Sequence, residues 1–255
     1  MVRGINKTPI FTDDRDRQSF LEKLHLNLND SACSIYAWTL MDNHLHLLVK
    51  SGGQGISYLM RKQLTWYAMY FNHKYQRSGH LFENRYKSII CEEDRYLLAL
   101  IRYIHLNPLR AGRLKSLEDL DQYPWSGHSA IMGTYNREWM DTRYVLAQFG
   151  GTLKKARRAY WKFMEEGLNQ GRIPELTGGG LARSQGGWSA VFSQKRKGVT
   201  LESDERVLGG SEFVNQILEE SQESGNIQFR LSRTWKSISD IIADQARKQE
   251  SAKDS

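Results

Sequence analysis

Two strand-like runs separated by only two residues constrain this chain more than any other feature. Ser34 to Met41 sets Ile35, Ala37 and Thr39 against Tyr36, Trp38 and Leu40, and His44 to Lys50 is a second such run. Between them stand only Asp42 and Asn43, both turn-forming residues. Strands joined this closely can pair only as an antiparallel hairpin. In a strand, alternate side chains share a face. His44 and His46 therefore face one way, and Leu45 and Leu47 face the other, into a core.

The flanking segments extend the pattern. Asp13 or Asp14 caps a helix to about Leu28, with Phe20, Leu21, Leu24 and Leu28 as its apolar stripe. A long aromatic-rich helix is expected over Ile56 to Lys74, and a further strand over Arg85 to Cys91. Another helix runs from Asp94 to about Leu106, and Asn107-Pro108 ends it because a residue before proline leaves helical geometry. The order of strand, helix, hairpin, helix, strand, helix fits an α+β fold with a ferredoxin-like antiparallel sheet and helices on its faces. The first strand, within Met1 to Ile10, is short for the central place that such a sheet gives it, which suggests a truncated or weakened strand.

After Gly112 the pattern changes. Tyr123 to Ser126 reads as a turn with a packing aromatic, and Lys154 to Leu168 as a basic helix. Residues 171–187 are glycine-rich, Glu212 to Ser221 is a helix, and the tail from Lys236 loses its apolar pattern. The expected division is 1–130 as a catalytic domain, 131–225 as a mainly helical C-terminal extension with a glycine-rich loop, and 226–255 as a partial helix and disordered tail. No apolar run has the length of a membrane span, and no signal-peptide core precedes Thr12. Cys33 and Cys91 form neither a metal spacing nor a disulfide framework, so a reduced, cytoplasmic compartment is expected. The net charge of +7 favours a polyanionic partner.

The residues that could carry chemistry admit two readings. His44 and His46, side by side on one strand face, suit two ligands of one divalent metal, but also serve as ordinary surface or hydrogen-bonded histidines. Tyr103 and Asn107 share a helix face, with Tyr96 nearly in line. If that face meets the histidines, Asn107 is a neutral oxygen ligand and a tyrosine hydroxyl is a nucleophile beside the metal. Otherwise the tyrosines are core aromatics and Asn107 caps the helix.

Three segments, in order, carry a resemblance: Tyr36-Ala37-Trp38-Thr39-Leu40-Met41-Asp42-Asn43-His44-Leu45-His46-Leu47-Leu48-Val49, then Gly79 to Ser88, then Arg102 to Gly112. Together they resemble the single-tyrosine HUH transposase superfamily, IS200-like, and within it the repeat-associated branch. Tyr123 to Ser126 fits the same pattern, and Asp204 to Val214 is similar to extended members of the branch. The resemblance implies the HUH nuclease fold, His44, His46 and Asn107 as ligands of Mg²⁺ or Mn²⁺, and Tyr103 as the nucleophile, with Tyr96 as the alternative by geometry. It implies a strand transferase acting on single-stranded DNA at hairpin-forming repeat ends through a 5′-phosphotyrosine, and it is compatible with a homodimer. The alternative from a different class is a regulatory or catalytically decayed protein that only binds repeat hairpins. Arg61, Lys62, Arg85, Lys87, Arg102 and Arg110 are the expected DNA-binding residues. Extended members also carry a C-terminal helix-turn-helix, of which Trp235 to Ala246 would be a first helix.

Overall fold

In the computed structural model, residues 1–170 and 206–223 are described. The described residues form two compact units, residues 1–87 with 98–170, and residues 88–97 with 206–223. The glycine-rich segment and the expected helix at Trp235 to Ala246 lie outside the described residues.

The first unit is built on the hairpin. Strands β2 (Ser34–Met41) and β3 (His44–Lys50) pair antiparallel with Thr39 opposite His46 and Met41 opposite His44. A bulge between Ile35 and Ala37 interrupts the far end of the ladder. Strand β1 (Val2–Arg3) adds to the free side of β3, with Arg3 opposite His44, so the order is β1-β3-β2.

The other side of β1 is also occupied. Gly4 bridges antiparallel to Phe82. Ile5 N donates to Leu81 O at 3.0 Å, Glu83 N to Arg3 O at 3.0 Å, and Lys87 N to Met1 O at 2.9 Å. Residues 81–87 thus fill the fourth strand position without becoming a regular strand, and the short β1 sits inside the sheet, as a ferredoxin-like arrangement requires.

The expected strand over Arg85 to Cys91 is corrected here. Glu83, Asn84, Arg85 and Lys87 are all exposed, so no buried alternation holds this stretch to a ladder. Only Ile90–Cys91 (β4) is extended and paired. It belongs to the second unit, where it runs parallel to Val207–Leu208 (β5).

Helix α1 (Asp14–Ser31) begins where its sequence signal lies. Asp13 accepts from Asp16 N, and the Asp16 side chain accepts from the Asp13 backbone, a reciprocal capping box. Ala32, in the left-handed region, ends it. Helix α2 (Gly55–Lys74) packs against α1. Phe11, Phe20 and Tyr67 fill the core with ring centroids 5.1 to 5.5 Å apart. The Tyr67 hydroxyl donates to Ile10 O at 2.6 Å. A buried polar ladder fixes the register of the two helices: Asn27 Nδ2 donates to Gln63 Oε1, and Gln63 Nε2 to Phe20 O, both at 2.9 Å. Asn27 Oδ1 stays buried without a partner, so the ladder fixes register at some desolvation cost.

Helix α3 (Glu93–His105) ends one residue before a separate short turn, α4 (Asn107–Arg110), with Pro108 early in it. The first unit continues through α5 (Leu117–Asp121), α6 (Gly127–Met132), α7 (Thr142–Ala147) and α8 (Leu153–Glu166). Leu40 N donates to Trp125 O at 2.9 Å and Thr39 bridges Ser126, which joins the Tyr123 to Ser126 turn to the outer edge of β2. Nearly all of β2 is buried as a result.

In the second unit, Glu92 N donates to Leu208 O at 2.8 Å, and Glu92 Oε2 accepts from Gly210 N at 2.9 Å. Helix α9 (Ser211–Glu223) follows, and Val214 packs on Val207 with Phe213 and Ile217. Among the described residues, no helix is long and apolar enough to cross a membrane.

Candidate functional site

The hairpin sets His44 beside His46, and the end of α3 brings Tyr103 to His46. His44 and His46 stand on the same face of β3, their rings edge to face with centroids 5.2 Å apart. Tyr103 meets His46 edge to face at 5.9 Å and an interplanar angle of 86°. Leu45, between the histidines, is buried on the opposite face at 1% exposure, so the strand cannot rotate without exposing it. Leu47, expected in the core with it, is only half-buried.

Asn107 lies one helical turn after Tyr103. Its Nδ2 donates to Tyr103 O at 2.8 Å and to Ile104 O at 3.3 Å. Both amide hydrogens are thus turned back onto α3, and Oδ1 makes no hydrogen bond among the described residues. The Tyr103 hydroxyl also has no hydrogen-bond partner among them, and the residue is half-buried. Tyr96 differs. It is buried in the second unit, with Arg95 5.3 Å over its ring.

Burial pushes the His46 imidazole down to about 3, with smaller contributions from nearby positive charge including Arg3. Burial, then Arg3, also lowers His44. Both rings are therefore held neutral, the form that binds metals. His44 Nδ1 is 2.7 Å from Asn43 Oδ1, which leaves Nε2 for an outside ligand. Two neutral imidazoles and an amide oxygen with no internal partner fit a divalent cation of intermediate softness. Among the described residues, no three His, Cys, Asp or Glu side chains cluster.

The expected DNA-binding cations separate into two groups. Arg110 is exposed, with its guanidinium 5.5 Å from the Tyr103 ring centroid. Arg85 and Lys87 are exposed on the segment beside β1, and Arg61 is exposed on α2 over Tyr58 at 6.0 Å. Lys62 and Arg102 are engaged elsewhere. Lys62 pairs with Asp30 at 2.7 Å and lies over Tyr58, while Arg102 packs on the Phe163 ring at 4.3 Å and donates to Phe163 O at 3.3 Å. Both cations serve helix packing. Among other cations near these segments, Lys74 is tied to Asp13 and Asp16, and Arg113 to Asp42.

Two features escaped the sequence reading. Arg3 stands opposite His44 in the sheet register, and only the short run Val2–Arg3 hints at it. Behind the end of α3 lies a buried polar chain. His105 Nδ1 is 2.8 Å from the Tyr160 hydroxyl, His128 Nδ1 is 2.9 Å from it, and His128 Nε2 is 2.7 Å from Asp121 Oδ1. Its members come from α3, α5, α6 and α8, so no local motif announces it.

Compared with known families, residues 1–107 match the family model described as "Transposase IS200 like". The match ends at Asn107 and includes both histidines and Tyr103. No curated protein and no solved structure matches the chain.

Proposed function

From the match of residues 1–107 to the IS200-like transposase family model, we propose that the chain acts on DNA, cleaving and rejoining single strands through Tyr103. The observation that carries this reading is the approach of Tyr103 to His46 at 5.9 Å between rings, with the tyrosine hydroxyl free of internal hydrogen bonds. His44, His46 and Asn107 would hold Mg²⁺ or Mn²⁺, and two imidazoles favour Mn²⁺. When bound, such a cation polarises the phosphodiester and stabilises the charge that develops on it.

The chain's own residues do the rest. The hydroxyl of Tyr103 loses its proton to solvent and its oxygen attacks the phosphorus. The bond from phosphorus to the 3′ oxygen breaks, and that oxygen takes up a proton. The 5′ end remains on Tyr103 as a phosphotyrosine, and attack by another 3′-hydroxyl reverses the steps and rejoins a strand. Arg110, beside the Tyr103 ring, and Arg3, beside His44, are available to meet the phosphate oxygens. Arg61, Arg85 and Lys87 extend the cationic surface for the strand, for which hairpin-forming repeat ends are the proposed substrates. Residues 1–130 carry the catalysis in this reading, the helical segment after 130 supports the end of α3, and the protein works in the cytoplasm as a monomer or a homodimer.

The test uses 5′- and 3′-labelled single-stranded hairpin oligonucleotides with Mn²⁺. A denaturation-resistant adduct on the 5′ end of the downstream fragment, absent with Tyr103→Phe, supports the mechanism. An adduct that persists with Tyr103→Phe moves the nucleophile to Tyr96. Binding with no adduct across metals and substrates favours a regulator that only holds repeat hairpins.

A further inference from the structure

His44 has one side-chain hydrogen bond, between its Nδ1 and Asn43 Oδ1 at 2.7 Å. Which atom carries the hydrogen follows from the other end of Asn43. Asn43 Nδ2 donates to the Lys7 carbonyl at 3.0 Å. A carbonyl only accepts, so the amide nitrogen faces Lys7 and the amide oxygen faces His44. That oxygen also only accepts, so Nδ1 of His44 must be the donor. In a neutral imidazole, Nε2 is then a bare lone pair. A histidine side chain free in water favours the opposite tautomer, with its hydrogen on Nε2.

The Lys7 carbonyl is aimed by an unusual turn. Asn6 at φ 51° and Lys7 at φ 59° are consecutive non-glycine residues in the left-handed region. Such conformations are costly and gather at sites where a particular group must be presented. The turn is braced by Lys7 N donating to Gly4 O at 3.0 Å and Thr8 Oγ1 to Ile5 O at 2.7 Å. It is tied to the hairpin tip by Gly4 N donating to Asn43 O at 2.9 Å. Backbone and side chain of Asn43 thus meet the same segment.

We propose that Asn43, backed by the Asn6–Lys7 turn, is a positioning residue that holds His44 in the Nδ1–H tautomer and so presents Nε2 to a divalent cation. Its ligand half rests on the metal site proposed above; its tautomer half does not. Partners that fix the second nitrogen of a metal-binding histidine typically alter affinity by about 10–100-fold when removed.

The first measurement needs neither metal nor DNA. Long-range ¹H–¹⁵N correlation spectra of ¹⁵N-labelled, metal-free protein report which imidazole nitrogen is protonated, and His44→Gln assigns the His44 signals. Wild type is expected to carry the hydrogen on Nδ1. Asn43→Ala is expected to shift His44 toward Nε2–H, leaving the His46 signals in place. Asn43→Asp restores an acceptor while losing the bond to Lys7, and is expected to keep Nδ1–H. Mn²⁺ titration should then weaken by about 10–100-fold in Asn43→Ala. A wild-type His44 protonated on Nε2, or one unmoved by Asn43→Ala, overturns the proposal. Unchanged Mn²⁺ affinity in Asn43→Ala overturns its ligand half. A wild type that binds no Mn²⁺ sinks the metal site itself, while the spectra still decide what Asn43 does to His44.

Discussion

The Tyr160 hydroxyl lies 2.8 Å from Nδ1 of His105, two residues beyond Tyr103 on the same helix. The direction of each bond in this buried chain can be deduced. Asp121 accepts, so His128 donates from Nε2 and its Nδ1 is an acceptor. Tyr160 therefore donates to His128, and His105 donates to Tyr160. One hydroxyl thus joins the end of α3 to α6 and α8. Tyr160→Phe is expected to leave two buried imidazole nitrogens without partners and to lower stability by about 1–3 kcal/mol. Urea unfolding of the metal-free protein measures it, and an unchanged midpoint would show that the chain is dispensable.

Stability should fall in mild acid. Burial lowers His128, against an opposing contribution from Asp121, and burial also lowers His44, His105 and His46, the last to about 3. In the unfolded chain these groups take up protons near pH 6.5 (about the ordinary histidine value). The unfolded state therefore binds more protons between that pH and the folded values. The stabilisation is complete above about pH 6.5 and declines as pH falls toward the folded values, by up to about 1.4 kcal/mol per pH unit for each histidine. Denaturant titrations at pH 7.5 and 5.5 check the sign. Equal stability at the two would contradict the neutral, buried state of these rings.

Arg110 and Lys62 should behave oppositely toward DNA. Arg110→Ala is expected to weaken binding of single-stranded oligonucleotides and to reduce the salt slope of log K by about 0.7 for one lost phosphate contact. Lys62→Ala should leave both unchanged, because its ammonium is paired with Asp30. Fluorescence anisotropy across a salt series separates the two variants, and an equal loss in both would mean that the Asp30 pair opens to DNA.

Chelation is expected to remove adduct formation without unfolding the protein, since the core of the first unit is packed from apolar and aromatic side chains such as Phe11, Phe20, Leu24 and Tyr67. Mn²⁺ at 100 times its dissociation constant should raise stability by about 2.7 kcal/mol. His46→Ala should abolish that increase. Thermal melts with EDTA, with Mn²⁺, and with Mn²⁺ on His46→Ala form the comparison.

The parts of the fold legible in the sequence are those fixed by neighbours. Asp42-Asn43 leaves no choice but a hairpin, and the capping residues at Asp13 and Asp16 set the start of α1. The separation of His44 from His46 put both rings on one face of β3, whereas Asn107 falls on the short helix after α3 and reaches back to Tyr103 O through its side chain. What stayed illegible depends on distant chain. Residues 81–87 occupy a strand position without strand alternation, because β1 offers them backbone rather than a buried face. The partner of Ile90–Cys91 is Val207–Leu208, far along the chain. Charge alone likewise cannot tell an open cation such as Arg110 from Arg102, whose partner Phe163 is on another helix.

A hairpin tip is ordinarily the fastest part of a sheet to exchange its amide hydrogens. Here the Asp42 carbonyl accepts from Ile10 N at 2.7 Å and from Phe11 N at 3.0 Å, and its carboxylate holds Arg17 and Arg113. The tip is therefore tied through its backbone to the segment that precedes α1, and opening it means peeling that segment away. In deuterium the amides of Gly4, Ile10 and Phe11 should rank among the slow exchangers, and the adjoining His44 backbone has little freedom left to surrender when a ligand arrives.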